Sequence, residues 1–192
     1  MRVHTVERAR KADPRNGIEV GDKYYWWKFR NRHGAGTVVK SKTYPKASQL
    51  TRSEFAGTWR SIEEDIEALP LDDSLHSQLQ DIAARLRELA DETQSKLDNM
   101  PEGLQQGDTG QLLEARVNAA NEWADVIEAL DEPMREDADP ETLEAEEGES
   151  ESDLADRQAQ EEQDAEERAD EAYDEALSGL KQEALDGNPG EP

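Results

Sequence analysis

Apolar positions along the chain follow a two-residue rhythm near the start and a helical rhythm after it. KYYWWKFR at 23–30 is dominated by aromatics, which strands favour. TVVKSKT at 37–43 follows a loop from Asn31 to Gly36 with two glycines, so the pair reads as a β-hairpin. Tyr44-Pro45 ends the second strand, because proline cannot donate to a ladder. Ile18-Glu19-Val20 is expected to form a short strand between the turn signals Asn16-Gly17 and Gly21-Asp22. Residues 1–17 show no periodic apolar face and read as a flexible lead.

After residue 50 the spacing becomes helical. Phe55, Trp59, Ile62, Ile66 and Leu69 recur at intervals of 4, 3, 4 and 3, predicting a helix over about 52–69. Thr51 and Glu54 match a capping box, and Pro70 stops the helix. Leu75, Leu79, Ile82, Leu86, Leu89, Thr93 and Leu97 predict a second helix over 74–98, capped by Asp72 or Asp73. A Gly- and Pro-rich loop at 99–110 follows. Leu112, Leu113, Val117, Ala120, Trp123, Ile127 and Leu130 then give a third helix over 110–131, capped by Asp108 or Thr109. The two longer helices should pack antiparallel across one compact loop, giving a helical hairpin or a three-helix, coiled-coil-like unit. Residues 133–152 read as a disordered acidic linker. Residues 153–186 read as an acidic helix whose only apolar face is Tyr173, Ala176, Leu177, Leu180 and Ala184, which either frays in solvent or docks on a partner. Residues 187–192 read as a disordered end. The expected class is α+β, mostly α, with a small N-terminal β-hairpin at 18–48 and helices over 49–132.

Charge sharpens this division. The net charge is −25. Residues 1–60 nevertheless hold 14 Lys/Arg against 5 Asp/Glu, or +9. Residues 61–132 carry −15 and residues 133–192 carry −19. Such asymmetry points to a basic segment for a polyanion and an acidic solvating or polyanion-mimicking tail. The competing explanation of the acidity is adaptation to high salt or solubility alone.

Strand alternation sends Tyr25, Trp27 and Phe29 to one face, where they form a core with Phe55 and Trp59. It sends Tyr24, Trp26, Lys28 and Arg30 to the other, with Lys40 and Lys42 from the second strand beside them. Aromatic faces stack on bases and flanking cations hold phosphates, which is how single strands are bound; a two-stranded ribbon can alternatively enter the major groove of a duplex. The candidate nucleic-acid-binding residues are therefore Tyr24, Trp26, Lys28, Arg30, Arg32, Lys40 and Lys42, with Arg8, Arg10 and Lys11 from the lead.

Other chemistry finds no pattern. There are no cysteines, hence no disulfide, thiolate zinc site or thiol nucleophile. His4, His33 and His76 lack ligand spacing, and no calcium-loop motif occurs in the acidic segments. Gly34-Ala35-Gly36-Thr37 lacks the phosphate-loop pattern and reads as a hairpin loop. No triad order or carboxylate in an apolar pocket suggests catalysis, so no enzyme, cofactor or metal is expected. No apolar run approaches the roughly 20 residues that span a bilayer, and MRVHTVERARK has no apolar core of a secretory signal. A cytoplasmic protein without a membrane partner is the expectation.

Three stretches carry a resemblance: ARKADPRNGIEVGDKYYWWKFR, SKTYPKASQLTRSEF and SKLDNMPEGLQQGDTGQLLEAR. Over residues 8–132 the chain resembles a group of uncharacterised small proteins of bacterial and archaeal viruses, with YYWWKFR and NMPEGLQ the specific segments. The resemblance implies a viral origin, hence a host-cell cytoplasmic location, and carries no site residues. More loosely, an aromatic hairpin followed by a Lys-Ser/Thr strand and a helix is similar to the arm-binding domains of phage integrases, an analogy of fold alone. Two functions follow as expectations. One is a viral nucleic-acid-binding accessory protein. The other is a helical adaptor, for virion assembly or antagonism of a host protein, that binds a partner or a second copy through the Leu75–Leu97 and Leu112–Leu130 stripes.

Overall fold

A computed structural model describes residues 1–30, 36–144 and 150–192. The chain is α+β and mostly helical, with a small three-stranded antiparallel sheet at the N-terminus and helices after it. It divides into two compact units, residues 1–62 and 63–192. The division falls where the charge changes sign, so one unit carries +9 and the other −34.

The basic unit is built on a sheet of order β1-β2-β3, with β1 Val3–Val6, β2 Tyr24–Arg30 and β3 Gly36–Ser41. The expected hairpin is thus extended by one strand, formed by residues 3–6 of the expected lead. Val3, His4, Thr5 and Val6 are mostly β-branched and pair with Trp27, Trp26, Tyr25 and Tyr24. On the other side of β2, Trp26 pairs with Lys40, Trp27 with Val39 and Lys28 with Val38. Gly36 begins β3 where any Cβ would collide with the Phe29 carbonyl, so only glycine lets the strand start there.

Residues 9–22 form a hydrogen-bonded loop. Ala9 and Asp22 continue the β1–β2 pairing through a 2.7 Å backbone bond from Ala9 N–H to Asp22 O. Asp13 and Ile18 form an isolated bridge across a 3-10 turn at Pro14–Asn16, closed by Gly17 at φ 63°. The expected strand at Ile18–Val20 reduces to that bridge. Trp27, Phe55, Trp59 and Ile62 are buried, while Tyr25 and Phe29 are half-buried.

Helix α1, Glu54–Ala68, runs from the first unit into the second. Its N-cap is Ser53, not Thr51: the Ser53 hydroxyl accepts from Ala56 N–H at 3.2 Å, and Thr51 instead accepts from Ser53 N–H.

The acidic unit is organised around α2, Leu75–Asp98, and α4, Asp108–Glu128, joined through a four-residue helix α3, Glu102–Gln105, inside the expected loop. The cross-helix bonds fix an antiparallel arrangement. His76 Nε2 lies 3.1 Å from Leu130 O, Gln80 donates to Ile127 O, and Arg87 reaches Asn121, Asp125 and Glu128. Arg87 grips Glu128 with two nitrogens, at 3.1 and 2.7 Å, which holds that carboxyl below its usual range. Leu75, Leu79, Ile82, Leu86 and Leu89 are all buried within the chain.

The last helix departs most from expectation. α5 spans Glu151–Asp186, capped by the Ser150 hydroxyl, which accepts from Asp153 N–H. Leu177, Leu180 and Ala184 are buried against the chain's own helices. Trp123 Nε1 donates to Ala184 O at 2.7 Å, and Lys181 Nζ donates to Glu67 O and Leu69 O at 2.7 and 2.9 Å. The lysine thereby satisfies carbonyls left open at the end of α1. Tyr173 donates to Asp73; burial and that carboxylate both hold its phenol above the usual range. Residues 130–144 have neither helix nor strand, yet they run antiparallel to α5. Leu143 N–H donates to Gln158, Glu141 N–H to Glu161, and Arg135 pairs with Asp170. Among the described residues no helix is long and apolar enough to cross a membrane.

Candidate nucleic-acid interface

Because side chains alternate along β2 and paired residues share a face, the register assigns the two sides of the sheet. The inner face carries Val3, Thr5, Tyr25, Trp27, Phe29, Thr37 and Val39. Arg52 closes one end of it, its guanidinium 5.1 Å from the Phe29 ring centre and bonded to Phe29 O. The outer face carries His4 and Val6 from β1, Tyr24, Trp26, Lys28 and Arg30 from β2, and Val38 and Lys40 from β3. Four of the predicted residues, Tyr24, Trp26, Lys28 and Arg30, therefore do share a face with Lys40.

The outer face has two halves. At one end the His4 imidazole stacks on the Trp26 indole, with ring centres 4.2 Å apart and planes 10° from parallel. This stack, with Met1, Arg2, Lys28 and Arg30, lines an open groove of about 580 Å³. Among the described residues no carboxylate lines it, although the chain has 47 Asp and Glu. Lys28 and Arg30 are exposed, and among the described residues neither side chain has an acidic partner. At the other end Tyr24, Lys40, Arg8, Arg10 and Lys11 border a second shallow groove of about 480 Å³, which Asp13 also lines.

Asp13 changes the electrostatics of that second half. The loop 9–22 brings its carboxylate to 2.7 Å from Lys40 Nζ, with Asn16 also donating to it. The Lys40 bond, then the Asn16 bond, hold Asp13 below the ordinary carboxylate range, while Asp13 raises Lys40. The Lys40 ammonium also lies 5.9 Å from the Tyr24 ring centre. Lys42, just past β3, is held by Asp22 at 2.7 Å in the same way, and Asp22 also accepts from Glu19 N–H. Lys40 thus lies on the outer face and Lys42 just past the end of β3, each in an ion pair with a carboxylate of the same unit. Arg8, Arg10 and Lys11 are exposed. Arg32 lies outside the described residues, as do Gly34 and Ala35 of the glycine loop.

No protein-family model, curated protein or solved structure matches the chain. The site thus rests on its own geometry. Two of its residues, Arg2 and His4, were not among those the sequence singled out. Their signal was the short alternation Val3-His4-Thr5-Val6, which becomes informative only when paired with β2. Among the described residues no group of His, Asp and Glu is arranged to hold a metal ion.

Proposed function

We propose that the basic unit binds nucleic acid through the outer face of its sheet, as a nucleic-acid-binding accessory protein; the resemblance stated above adds only a viral origin. The observation that supports this most is the carboxylate-free groove of Arg2, His4, Trp26, Lys28 and Arg30 in so acidic a chain. Salt at physiological strength screens exposed charges beyond about 8 Å, which limits the repulsion from a net charge of −25. The −34 unit is read as a solvating segment.

The alternative, a helical adaptor working through the Leu75–Leu97 and Leu112–Leu130 stripes, has less surface to act with. Leu75 through Leu89 and Trp123 are buried inside the acidic unit, leaving Leu104 and Leu112 as its main exposed leucines on α3 and α4.

Binding by the full chain should weaken steeply with salt. Six cations without an acidic partner among the described residues (Arg2, Arg8, Arg10, Lys11, Lys28 and Arg30), each releasing about 0.7 counterion from a single strand, give a slope of log affinity against log salt of about −4. A fluorescence-anisotropy titration over several salt concentrations measures it. A slope near zero, or no binding at about 50 mM salt, would remove the proposal.

A further inference from the structure

The same face also discriminates between forms of nucleic acid. We infer that its ligand is a single strand, DNA or RNA, with bases stacked on the Trp26–His4 pair and phosphates held on either side; this rests on the nucleic-acid reading above.

Two observations carry the inference. The first is the aromatic stack. His4 covers one face of the Trp26 indole, and the stacked pair lines the open groove rather than the core. A duplex keeps its base faces stacked on each other and offers nothing to such a surface. An unpaired base supplies a π-face, and base–aromatic stacking tolerates any sequence. The second is continuity. The groove at Arg2, Lys28 and Arg30 and the groove at Arg8, Arg10 and Lys11 flank β2 at its two ends. The seven residues of β2 extend roughly 20 Å, room for about six nucleotides at a stacked spacing near 3.4 Å. Cations at both ends with aromatics between them match a backbone track with a stacking platform at its centre.

The test uses the full chain with labelled oligothymidylate, oligouridylate and a duplex, each about twelve units long, at about 50 mM salt. Either single strand should bind at least about tenfold more tightly than the duplex, and affinity should stop rising with length beyond about six nucleotides. Trp26→Ala should weaken single-strand binding by roughly 5- to 150-fold, the range expected for one lost base stack. Trp26→Phe keeps a ring and should retain most of the affinity, which a purely structural tryptophan would not require. The exposed Lys28→Gln should weaken binding and flatten the salt slope by about 0.7, and it provides a readout should Trp26→Ala fail to fold. A preference for thymidylate or for uridylate supports the inference equally. Duplex binding as tight as single-strand binding, unchanged by Trp26→Ala, overturns the single-strand assignment and leaves the nucleic-acid reading standing. Absence of binding to all three ligands overturns both.

Discussion

Replacing Trp123 with alanine is expected to destabilise the acidic unit by about 3–5 kcal/mol and to free the end of α5. Trp123 is fully buried, so truncation removes the largest side chain in that part of the core and leaves a void that rigid helices fill only partly. It also leaves the Ala184 carbonyl without its 2.7 Å indole donor. A buried acceptor left open adds a penalty of about 1–3 kcal/mol, part of which is already within that range. The neighbouring helix cannot move in to compensate easily. At Gly187, just beyond α5, a Cβ would stand 2.5 Å from Val126 Cγ1, so the two elements already meet at backbone distance. Trypsin reads out the local effect. Lys181 is tied to Glu67 O and Leu69 O in the intact unit. A 3 kcal/mol loss of docking corresponds to cleavage at Lys181 faster by on the order of 100-fold, provided opening precedes cleavage. Tyr173→Phe, which loses only an exposed bond to Asp73, should change stability by less than about 0.5 kcal/mol. Unchanged cleavage in Trp123→Ala would mean that α5 is not held by this contact. The same contact explains why deleting residues 133–192 is a poor way to study the acidic segment: it would strip the cover from Trp123.

The double charge reversal Lys28→Glu/Arg30→Glu is expected to lower affinity for a single strand by two to three orders of magnitude at low salt. Each exposed cation at about 4 Å from a phosphate gains about 1 kcal/mol in water, and each replacement glutamate converts that gain into a similar repulsion. Two sites therefore change by about 4 kcal/mol at most, less whatever salt screens. Both side chains are exposed, so the substitution is expected to leave the fold intact, which a circular-dichroism spectrum checks. The control is Arg85→Glu/Lys96→Glu on α2, which alters net charge by the same amount on the acidic unit. At about 0.15 M salt its effect should be small, since screening confines each charge to about 8 Å. Equal losses in the two double variants would assign binding to net charge and not to the sheet.

How much of this was readable from the chain depends on the range of the interactions involved. The leucine spacing from Leu75 to Leu89 identifies α2, because one helical face must be apolar when it is covered. The aromatic alternation at 24–30 gives both the strand and the division of its faces. What was not readable depends on partners far along the sequence. Val3–Val6 is four residues long, below what a pattern can establish, and becomes a strand only because β2 offers it an edge. The same distance hid Arg2 and His4. It also hid the ion pairs of Lys40 and Lys42, since Asp13 and Asp22 lie 27 and 20 positions away and meet them only through the 9–22 loop. The cap at Ser53 instead of Thr51 is a shift of two residues within a run of suitable capping types. The apolar face of α5 was visible in Leu177, Leu180 and Ala184; that the chain itself covers this face was not, because nothing local distinguishes a self-docked helix from one awaiting a partner.

If nucleic acid binds on the outer face of the sheet and not on the acidic helices, amide chemical shifts of the full chain should report it as a short single-stranded oligonucleotide is added. Perturbations are expected in residues 2–6, 8–11 and 24–30 and along β3, with the Trp26 indole N–H among the largest. Perturbations centred on α2, α4 or α5, with the sheet unmoved, would contradict it.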